Sequence, residues 1–157
     1  MDNLIWVSTT NMLIRNGSDI LVMKRAHDRV EFPGWFILPG GKQEADETPL
    51  QAAVRETREE TGIEPIGATL RIIATHLHDY KSKVYIVYMF EAKSFTGNLT
   101  SSSEGEAIWM DQEKLIKSPK LYPDLKRHLR LIMDNVDPSL QFTYHRFNEK
   151  LQIIEER

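Results

Sequence analysis

The chain has 157 residues, of which 41% are hydrophobic and 27% are charged, so its length and composition predict one globular domain spanning residues 1–157. It has no cysteine, which excludes disulfides and thiolate chemistry. Its net charge of −3 gives no basic surface of the kind that binds duplex nucleic acid. The sequence has no signal-peptide pattern and no run of about 18 apolar residues, so we expect a cytoplasmic protein with no membrane partner.

The first part of the chain predicts a β-hairpin and a short strand. Residues 4–14 and 20–23 are rich in apolar and β-branched residues and are separated by a turn signal. A polar loop follows at residues 26–34, and residues 35–38 are predicted to form a short apolar strand. This strand leads into two consecutive glycines, which allow the backbone to approach a ligand closely.

The next segment predicts an α-helix with both of its ends marked. Thr48 suits the N-cap, Pro49 the first helical position and Gln51 the third, which gives a capping box. Gly62 provides the residue that ends the helix. Between these ends, helical spacing predicts an apolar stripe formed by Leu50, Ala53, Val54, Thr57 and Thr61.

The middle of the chain predicts a second hairpin, formed by residues 66–78 and 83–93. On its first strand, His76 and His78 lie two residues apart and therefore share one face. A two-histidine metal site needs at least one further protein ligand, and none is obvious nearby, so ordinary strand-surface histidines are the favoured interpretation. The Ser/Thr/Gly-rich segment 94–105 is expected to be the mobile loop of the fold.

The last third of the chain predicts a short strand, two helices and a terminal hairpin. Residues 107–110 form the strand, and Asp111 caps a short helix. After a break, residues 125–136 are amphipathic at helical spacing. The terminal hairpin comprises residues 140–147 and 150–155.

One side of the first predicted helix carries three carboxylates. Glu56, Glu59 and Glu60 are spaced i, i+3, i+4 and therefore lie on adjacent turns. Stacked like charges destabilise a helix, so a bound hard cation with oxygen ligands, Mg²⁺ or Mn²⁺, would explain the pattern. On the helix alone, a solvated acidic face neutralised by Arg55 and Arg58 is the favoured explanation.

The residues around this acidic face form a longer pattern. It consists of Gly41, five residues, Glu47, seven residues, Arg55-Glu56, two residues, Glu59-Glu60, one residue and Gly62-Ile63. This pattern resembles the signature of the Nudix hydrolases, the Nudix box, at every fixed position. Thr57 stands at a variable position where the family usually has an aliphatic residue, and we expect only a small packing loss from it.

The resemblance implies a fold and a metal site. The implied fold class is α/β (α+β), an α/β/α sandwich with a mixed β-sheet between helices. Glu56, Glu59 and Glu60 match the family's metal-binding carboxylates, and the Gly40 carbonyl matches a further ligand. The implied cofactor is Mg²⁺ or Mn²⁺. With the box at residues 41–63 complete, the solvated-face explanation loses its support.

The implied reaction is hydrolysis of a nucleoside diphosphate linkage. The cation would neutralise phosphate oxygens and lower the pKa of bound water. Glu59, or else Glu104 from the mobile loop, would accept the proton, and Glu59 is the preferred base. Arg55 and Glu47 match an ion pair that holds the box loop on the helix, so changing either should lower activity without removing a metal ligand.

The substrate must be predicted from residues outside the box. The chain length, the terminal hairpin and the segment Tyr122-Pro123-Asp124 resemble the MutT-type 8-oxo-dGTP diphosphatases, in which an aromatic ring lies by the base and an acid reads its edge. The resemblance implies that Tyr122 stacks on a purine and Asp124 hydrogen-bonds it, with 8-oxo-dGTP as first choice, cleaved to the monophosphate and pyrophosphate. Leu125 and Ile37 replace an Asp and an Asn of those enzymes, which keeps ADP-ribose or another nucleotide sugar open. A turn and helix cap is the structural alternative for the same segment.

Other features allow two interpretations. Lys24 and Arg25 end a predicted strand and are either solvated charges or phosphate contacts. A function of another class, a non-catalytic nucleotide-binding or regulatory module, would keep the pocket without the chemistry, but the intact carboxylates argue against it. The expected partner is a small-molecule nucleotide, and the sequence leaves a homodimer open.

Overall fold

The computed structural model describes residues 3–134 and 139–157. Its strands are β1 (Ile5–Leu13), β2 (Arg15–Asn16), β3 (Asp19–Arg25), β4 (Phe36–Ile37), β5 (Ile63–Ile66), β6 (Thr69–His78), β7 (Lys83–Glu91), β8 (Ser94–Gly97), β9 (Gly105–Asp111), β10 (Gln141–Phe147) and β11 (Ile153–Glu156). Its helices are α1 (Pro49–Thr61), α2 (Gln112–Lys117) and α3 (Leu125–Met133). No helix in these ranges is long and apolar enough to cross a membrane.

The larger sheet is mixed, with the strand order β1-β7-β6-β10-β11. Strand β1 runs parallel to β7 and β10 runs parallel to β6, whereas β6 and β7 are antiparallel. The predicted middle hairpin is confirmed as β6 and β7, and the predicted terminal hairpin is confirmed as β10 and β11. Parallel pairing of β6 with β10 brings residues far apart in sequence side by side.

A second sheet is centred on β3, which pairs with β2, β4 and β9. The predicted hairpin of residues 4–14 and 20–23 is therefore largely wrong. Strand β1 joins the larger sheet, and only the two-residue strand β2 forms a short hairpin with β3. The segment 94–105, predicted as a loop, also begins with a strand, because β8 finds a partner in β5.

The core lies on both sides of the strands. Adjacent strand residues point to opposite faces, and Met12 and Leu13 of β1 accordingly belong to two different core clusters. The cluster with Met12 includes Ala53 of α1, and the cluster with Leu13 includes Leu129 of α3. The strands therefore lie between α1 and α3, which confirms the predicted sandwich with a mixed sheet between helices.

Helix α1 begins and ends as predicted. The Thr48 hydroxyl accepts a hydrogen bond from the Gln51 N–H at 3.3 Å, and the Gln51 side chain accepts one from the Thr48 N–H at 2.8 Å. Gly62 ends the helix with a φ of 72°. The predicted apolar stripe is wrong at Leu50, which is 39% exposed because it lies in the first turn, at the end of the contact face. Glu60 is buried instead.

The variable position of the box is accommodated by a local hydrogen bond. Thr57 is fully buried, and its hydroxyl donates to the Ala53 carbonyl at 2.7 Å. The Thr57 hydroxyl, which an aliphatic residue would lack, therefore has a hydrogen-bond partner within the helix.

Helices α2 and α3 also follow the sequence pattern. The Asp111 side chain accepts a hydrogen bond from the Lys114 N–H at 3.0 Å and caps α2 as predicted. Helix α3 confirms the amphipathic segment that begins at Leu125, although residues 135–136 of the predicted helix lie outside the described residues.

Candidate active site

The loop between β4 and α1 is fixed on β1. The Met12 N–H donates to the Pro39 carbonyl at 2.9 Å, and the Thr10 N–H donates to the Gly41 carbonyl at 2.8 Å. Gly40 has a φ of 149°, and a Cβ atom there would overlap the Thr10 carbonyl oxygen. Only glycine fits this position, so the loop backbone can lie directly against the strand.

Two of the three box carboxylates, Glu56 and Glu60, meet this loop. Glu60 is 5% exposed and accepts a hydrogen bond from the Gly40 N–H at 2.9 Å. The Glu56 carboxylate lies so close to Gly41 that a Cβ atom there would be 2.5 Å from it. Glu59 is more open, with 57% of its side chain exposed. The structure thus brings all four predicted metal-binding residues to one junction of loop and helix.

The raised pKa values of Glu56 and Glu60 indicate that a positive charge would stabilise this junction. The pKa of Glu60 is raised to about 8, mainly by burial; the Gly40 N–H lowers it, and the charges of Glu56 and Glu104 raise it. The pKa of Glu56 is raised by burial, against the opposing effect of Arg55. Two carboxylates that resist ionisation side by side are stabilised in their charged forms by a cation.

The donor set fits a hard divalent ion. Glu56, Glu59, Glu60 and the Gly40 carbonyl offer only oxygen atoms, which Mg²⁺ and Mn²⁺ prefer. Arg55 Nη1 lies 3.1 Å from Glu56 Oε1 and 3.3 Å from Glu59 Oε2 and supplies positive charge to the same group. The assignment of the four residues as ligands stays a prediction.

Arg55 also joins the box loop to α1. Its Nη2 and Nε atoms donate to the two oxygens of Glu47 at 2.6 and 3.0 Å, and Nη2 also donates to the Lys42 carbonyl at 3.2 Å. The hydrogen bond from Arg55, with a second from the Glu44 N–H, holds the pKa of Glu47 below its usual range. This geometry is the one that a positioning ion pair requires.

Glu104, the alternative base, lies in the turn before β9. Its Oε1 is 3.3 Å from Arg29 Nη2, and 56% of its side chain is exposed. Its charge raises the pKa of both Glu56 and Glu60, which places it within electrostatic reach of the box. Both candidate bases are therefore open to solvent and within electrostatic reach of the same carboxylates.

A cavity of about 380 Å³ opens beside Gly40 and Gly41. Three of the four predicted substrate-binding residues line it: Arg25, Tyr122 and Asp124. The fourth, Lys24, lies in a separate surface depression with Glu106. The structure thus joins the cavity to the box but does not bring Lys24 to either.

The segment Tyr122-Pro123-Asp124 is attached to β4. The Tyr122 N–H donates to the Phe36 carbonyl at 3.0 Å, and the Phe36 N–H donates to the Lys120 carbonyl at 2.8 Å. The Tyr122 ring packs 4.7 Å from the ring of Phe32, measured between centroids. Because β4 runs directly into the box loop, this attachment holds Tyr122 and Asp124 beside the glycines.

Asp124 occupies the N-cap position of α3, but its side chain makes no capping hydrogen bond. The structural alternative, a turn and helix cap, is therefore correct for the position of Asp124 but wrong for its side chain, which is 2% exposed. Burial alone would raise the pKa of the Asp124 carboxyl, but the neighbouring histidines, His76 foremost, hold it well below its usual range. The Asp124 carboxyl is therefore buried at the cavity wall, and its histidine neighbours favour its charged form.

The interpretation of His76 and His78 as strand-surface histidines is wrong, because both are 4% exposed. Burial lowers the pKa of His78 to about 4 and, in α3, that of His128 to about 4. His128 and His145 lie beside His76, and neither was singled out from the sequence. The available signal was the i, i+4 spacing of Asp124 and His128 on an amphipathic helix.

The fold defines the class of protein. A crystal structure of a MutT protein from Bacillus halodurans superposes with a TM-score of 0.84 over 96% of both chains at 22% identity. Residues 6–132 match the NUDIX domain family. The chain belongs to the Nudix hydrolase family, whose members generally use divalent metal ions and act on small nucleotide substrates.

Relatives with assigned names differ in substrate. An ADP-ribose pyrophosphatase from Methanocaldococcus jannaschii is 34% identical over 124 residues, which cover 78% of this chain and 68% of the relative. An 8-oxo-dGTP diphosphatase from Haemophilus influenzae is 28% identical over 103 residues, which cover 66% of this chain and 74% of the relative. Family membership therefore establishes a Nudix hydrolase without selecting its nucleotide.

Proposed function

We propose that this Nudix hydrolase is a Mg²⁺-dependent pyrophosphohydrolase that cleaves an oxidised purine nucleoside triphosphate, 8-oxo-dGTP in the first place, to the monophosphate and pyrophosphate. The observation that carries the proposal is the direct connection between the box and the cavity. Gly41 of the box and the preceding Gly40 line the cavity, and Tyr122 and Asp124 line the same cavity.

The phosphate chain binds at the box. Glu56, Glu60 and the Gly40 carbonyl hold the cation, which when bound neutralises phosphate oxygens and lowers the pKa of a water molecule. Arg25 lines the cavity, and its charge reaches Glu60, so it binds phosphate oxygens at the entrance to the box. Glu59 accepts the proton of the attacking water, because its carboxylate is open to solvent on the same helical face.

The base binds beside Tyr122 and Asp124, which line the cavity. The aromatic ring of Tyr122 is the group that stacks on it. Asp124 Oδ1 has no hydrogen-bond partner among the described residues, so this oxygen is available to a ligand. Guanine presents N7 as an acceptor, whereas oxidation at C8 converts N7 into an N–H donor. An ionised carboxylate can only accept, and it therefore favours the oxidised base.

Hydrolysis of ADP-ribose is the second candidate. The 34% identical relative is named for this activity, and Ile37 lines the cavity where an oxidised-purine enzyme would have an amide side chain. A non-catalytic module has less support, because all the predicted catalytic carboxylates are present and grouped together.

A comparison of substrates tests the proposal. The wild type with Mg²⁺ should have its highest kcat/KM for 8-oxo-dGTP, above dGTP and ADP-ribose. Asp124→Asn keeps the volume but adds a donor, and it should lower kcat/KM for 8-oxo-dGTP by about tenfold or more with little effect on ADP-ribose. Glu113→Gln is the matched surface control, because the Glu113 side chain on α2 is 67% exposed. Equal losses on both substrates, or preference for ADP-ribose in the wild type, would contradict the base-reading role.

A further inference from the structure

A group of four buried side chains lies outside the Nudix box. It consists of His76 on β6, Asp124 and His128 at the start of α3, and His145 on β10, and we call it the histidine cluster. Each of the four is at most 4% exposed. One potential ligand atom from each lies within 4.8 Å of every other.

The fold brings these residues together from three elements. His76 and His145 are register partners on the parallel strands β6 and β10. Asp124 and His128 are separated by one turn of helix, so their side chains lie on the same side of α3. The ring centroids of His76 and His128 lie 5.3 and 5.2 Å from that of His145.

Several polar atoms of the cluster lack a hydrogen-bond partner among the described residues. His145 Nδ1 and Nε2 and His128 Nδ1 have no hydrogen-bond partner among the described residues, and Glu156 Oε2 is 4.0 Å from His145 Nε2. Of the Asp124 carboxylate, only Oδ2 belongs to the cluster, because Oδ1 is the oxygen proposed to bind the base. Asp124 Oδ2 lies 2.9 Å from His76 Nε2 and 3.5 Å from His128 Nδ1, but the His76 nitrogen is not aligned for a hydrogen bond. An unpaired buried polar atom costs about 1–3 kcal/mol, so several in one place indicate a ligand that binds all of them.

We propose that the histidine cluster binds one divalent transition-metal ion, with Zn²⁺ as the best fit. Three imidazoles and one carboxylate form a four-ligand set of the kind that suits zinc in a tetrahedral site. Zinc–nitrogen bonds of about 2.0–2.1 Å place tetrahedral ligand atoms roughly 3.3 Å apart. The ligand atoms here lie within 4.8 Å of one another, so their separations shorten by up to about 1.5 Å on binding. The all-oxygen box and this nitrogen-rich cluster select different ions.

A supporting hydrogen bond orients one of the ligands. His128 Nε2 lies 2.9 Å from the Thr143 hydroxyl on β10. When Nε2–H donates to Thr143, the lone pair of Nδ1 faces Asp124 and is free to bind a metal. Such contacts to the second ring nitrogen typically accompany histidine ligands.

Four protein ligands leave no open position, so the ion is structural rather than catalytic. It joins β6, β10 and α3 and fixes the segment that carries Tyr122 and Asp124 at the cavity. The inference does not rest on the proposed nucleotide substrate, because zinc binding is measured without nucleotide.

X-ray absorption of the zinc-loaded wild type tests the site directly. The protein is loaded with Zn²⁺, dialysed against millimolar Mg²⁺ and assayed for bound zinc by mass spectrometry. We expect one retained zinc per chain whose scattering shows about three imidazoles and one carboxylate oxygen. The Nudix box contains no histidine, so zinc without imidazole scattering, or no retained zinc, would overturn the proposal.

Histidine variants identify the ligands. His128→Gln and His145→Gln should weaken zinc binding at least about a hundredfold and abolish the zinc-dependent rise in Tm. Two control variants should retain zinc binding and the zinc-dependent rise in Tm. They are His78→Gln, at a buried position on the same strand as His76 but outside the cluster, and His27→Gln on the surface. Equal zinc retention in all four variants would also overturn the proposal. If a cluster variant does not fold, the X-ray absorption spectrum of the wild type alone decides whether the histidine cluster binds zinc.

Discussion

Arg55 binds both oxygens of Glu47, with Nη2 2.6 Å from Oε1 and Nε 3.0 Å from Oε2. This two-point contact spans the loop and the helix of the Nudix box and fixes the backbone beside the carboxylates. Glu47→Ala should therefore lower kcat about ten- to a hundredfold while leaving Mg²⁺ affinity nearly unchanged, because it displaces the ligands without removing one. Steady-state kinetics over a Mg²⁺ titration measures both quantities.

Glu44 provides the matched control for this prediction. Its carboxylate lies 4.0 Å from Arg55 Nη2, and 67% of its side chain is exposed. A surface pair of this kind contributes little, so Glu44→Ala should leave kcat within about twofold of the wild type. Similar losses in the two variants would show that the Glu47 contact has no special positioning role.

Variants of the two candidate bases, Glu59 and Glu104, are expected to differ in kcat. Glu59→Gln should lower kcat by about 10²–10⁴-fold at saturating Mg²⁺. Glu104→Gln should lower it less than about tenfold, because Glu104 lies outside the helix that carries the three carboxylates. Single-turnover rates measure the chemical step in each variant. The opposite ranking would reassign the base to Glu104.

Gly40 is required by sterics as well as by backbone conformation. Gly40→Ala should lower the free energy of unfolding by at least about 2 kcal/mol, because the new Cβ overlaps the Thr10 carbonyl. Gly17 also has a positive φ, of 62°, but nothing lies within 4 Å of the position that a Cβ atom would take there, so Gly17→Ala should cost about 1 kcal/mol. Urea denaturation compares the two. Equal losses would mean that the clash at Gly40 is relieved by movement of the loop.

Two variants of Tyr122 distinguish ring stacking from hydrogen bonding by its hydroxyl group at the cavity. Tyr122→Leu removes the aromatic ring and should raise KM for a purine nucleoside triphosphate roughly tenfold, whereas Tyr122→Phe keeps the ring and should change it little. Thermal unfolding of both variants controls for lost packing against Phe32. An equal rise in KM for both variants would assign the role to the hydroxyl group instead, because both lack it.

Local signals explain why α1 could be predicted in detail. The N-cap at Thr48, the capping box with Gln51 and the end at Gly62 depend on residues a few positions apart, so the sequence contains the whole interaction. The box carboxylates are likewise close in sequence, and their common face follows from helical spacing. The burial of Glu60 depends on the loop at Gly40 and could not be read from the helix alone.

Long-range pairing explains what could not be predicted. Strand β1 pairs in parallel with β7 rather than with β3, the next long strand in the sequence. This pairing depends on contacts across the whole sheet and not on the turn between β1 and β3. The same holds for His76 and His145, which meet only because β6 and β10 are parallel neighbours. The sequence placed His76 on a strand without showing the residues that would surround it.

The central claim is that the box hydrolyses a nucleoside triphosphate to the monophosphate and pyrophosphate with a divalent cation. Product analysis by ³¹P NMR in ¹⁸O-labelled water, with 8-oxo-dGTP and Mg²⁺, tests it most directly. We predict pyrophosphate and 8-oxo-dGMP as products, one ¹⁸O atom incorporated per cleavage, and no turnover when EDTA replaces Mg²⁺ or when Glu60 is changed to Gln. Release of orthophosphate with a nucleoside diphosphate, or full turnover without a divalent cation, would contradict it.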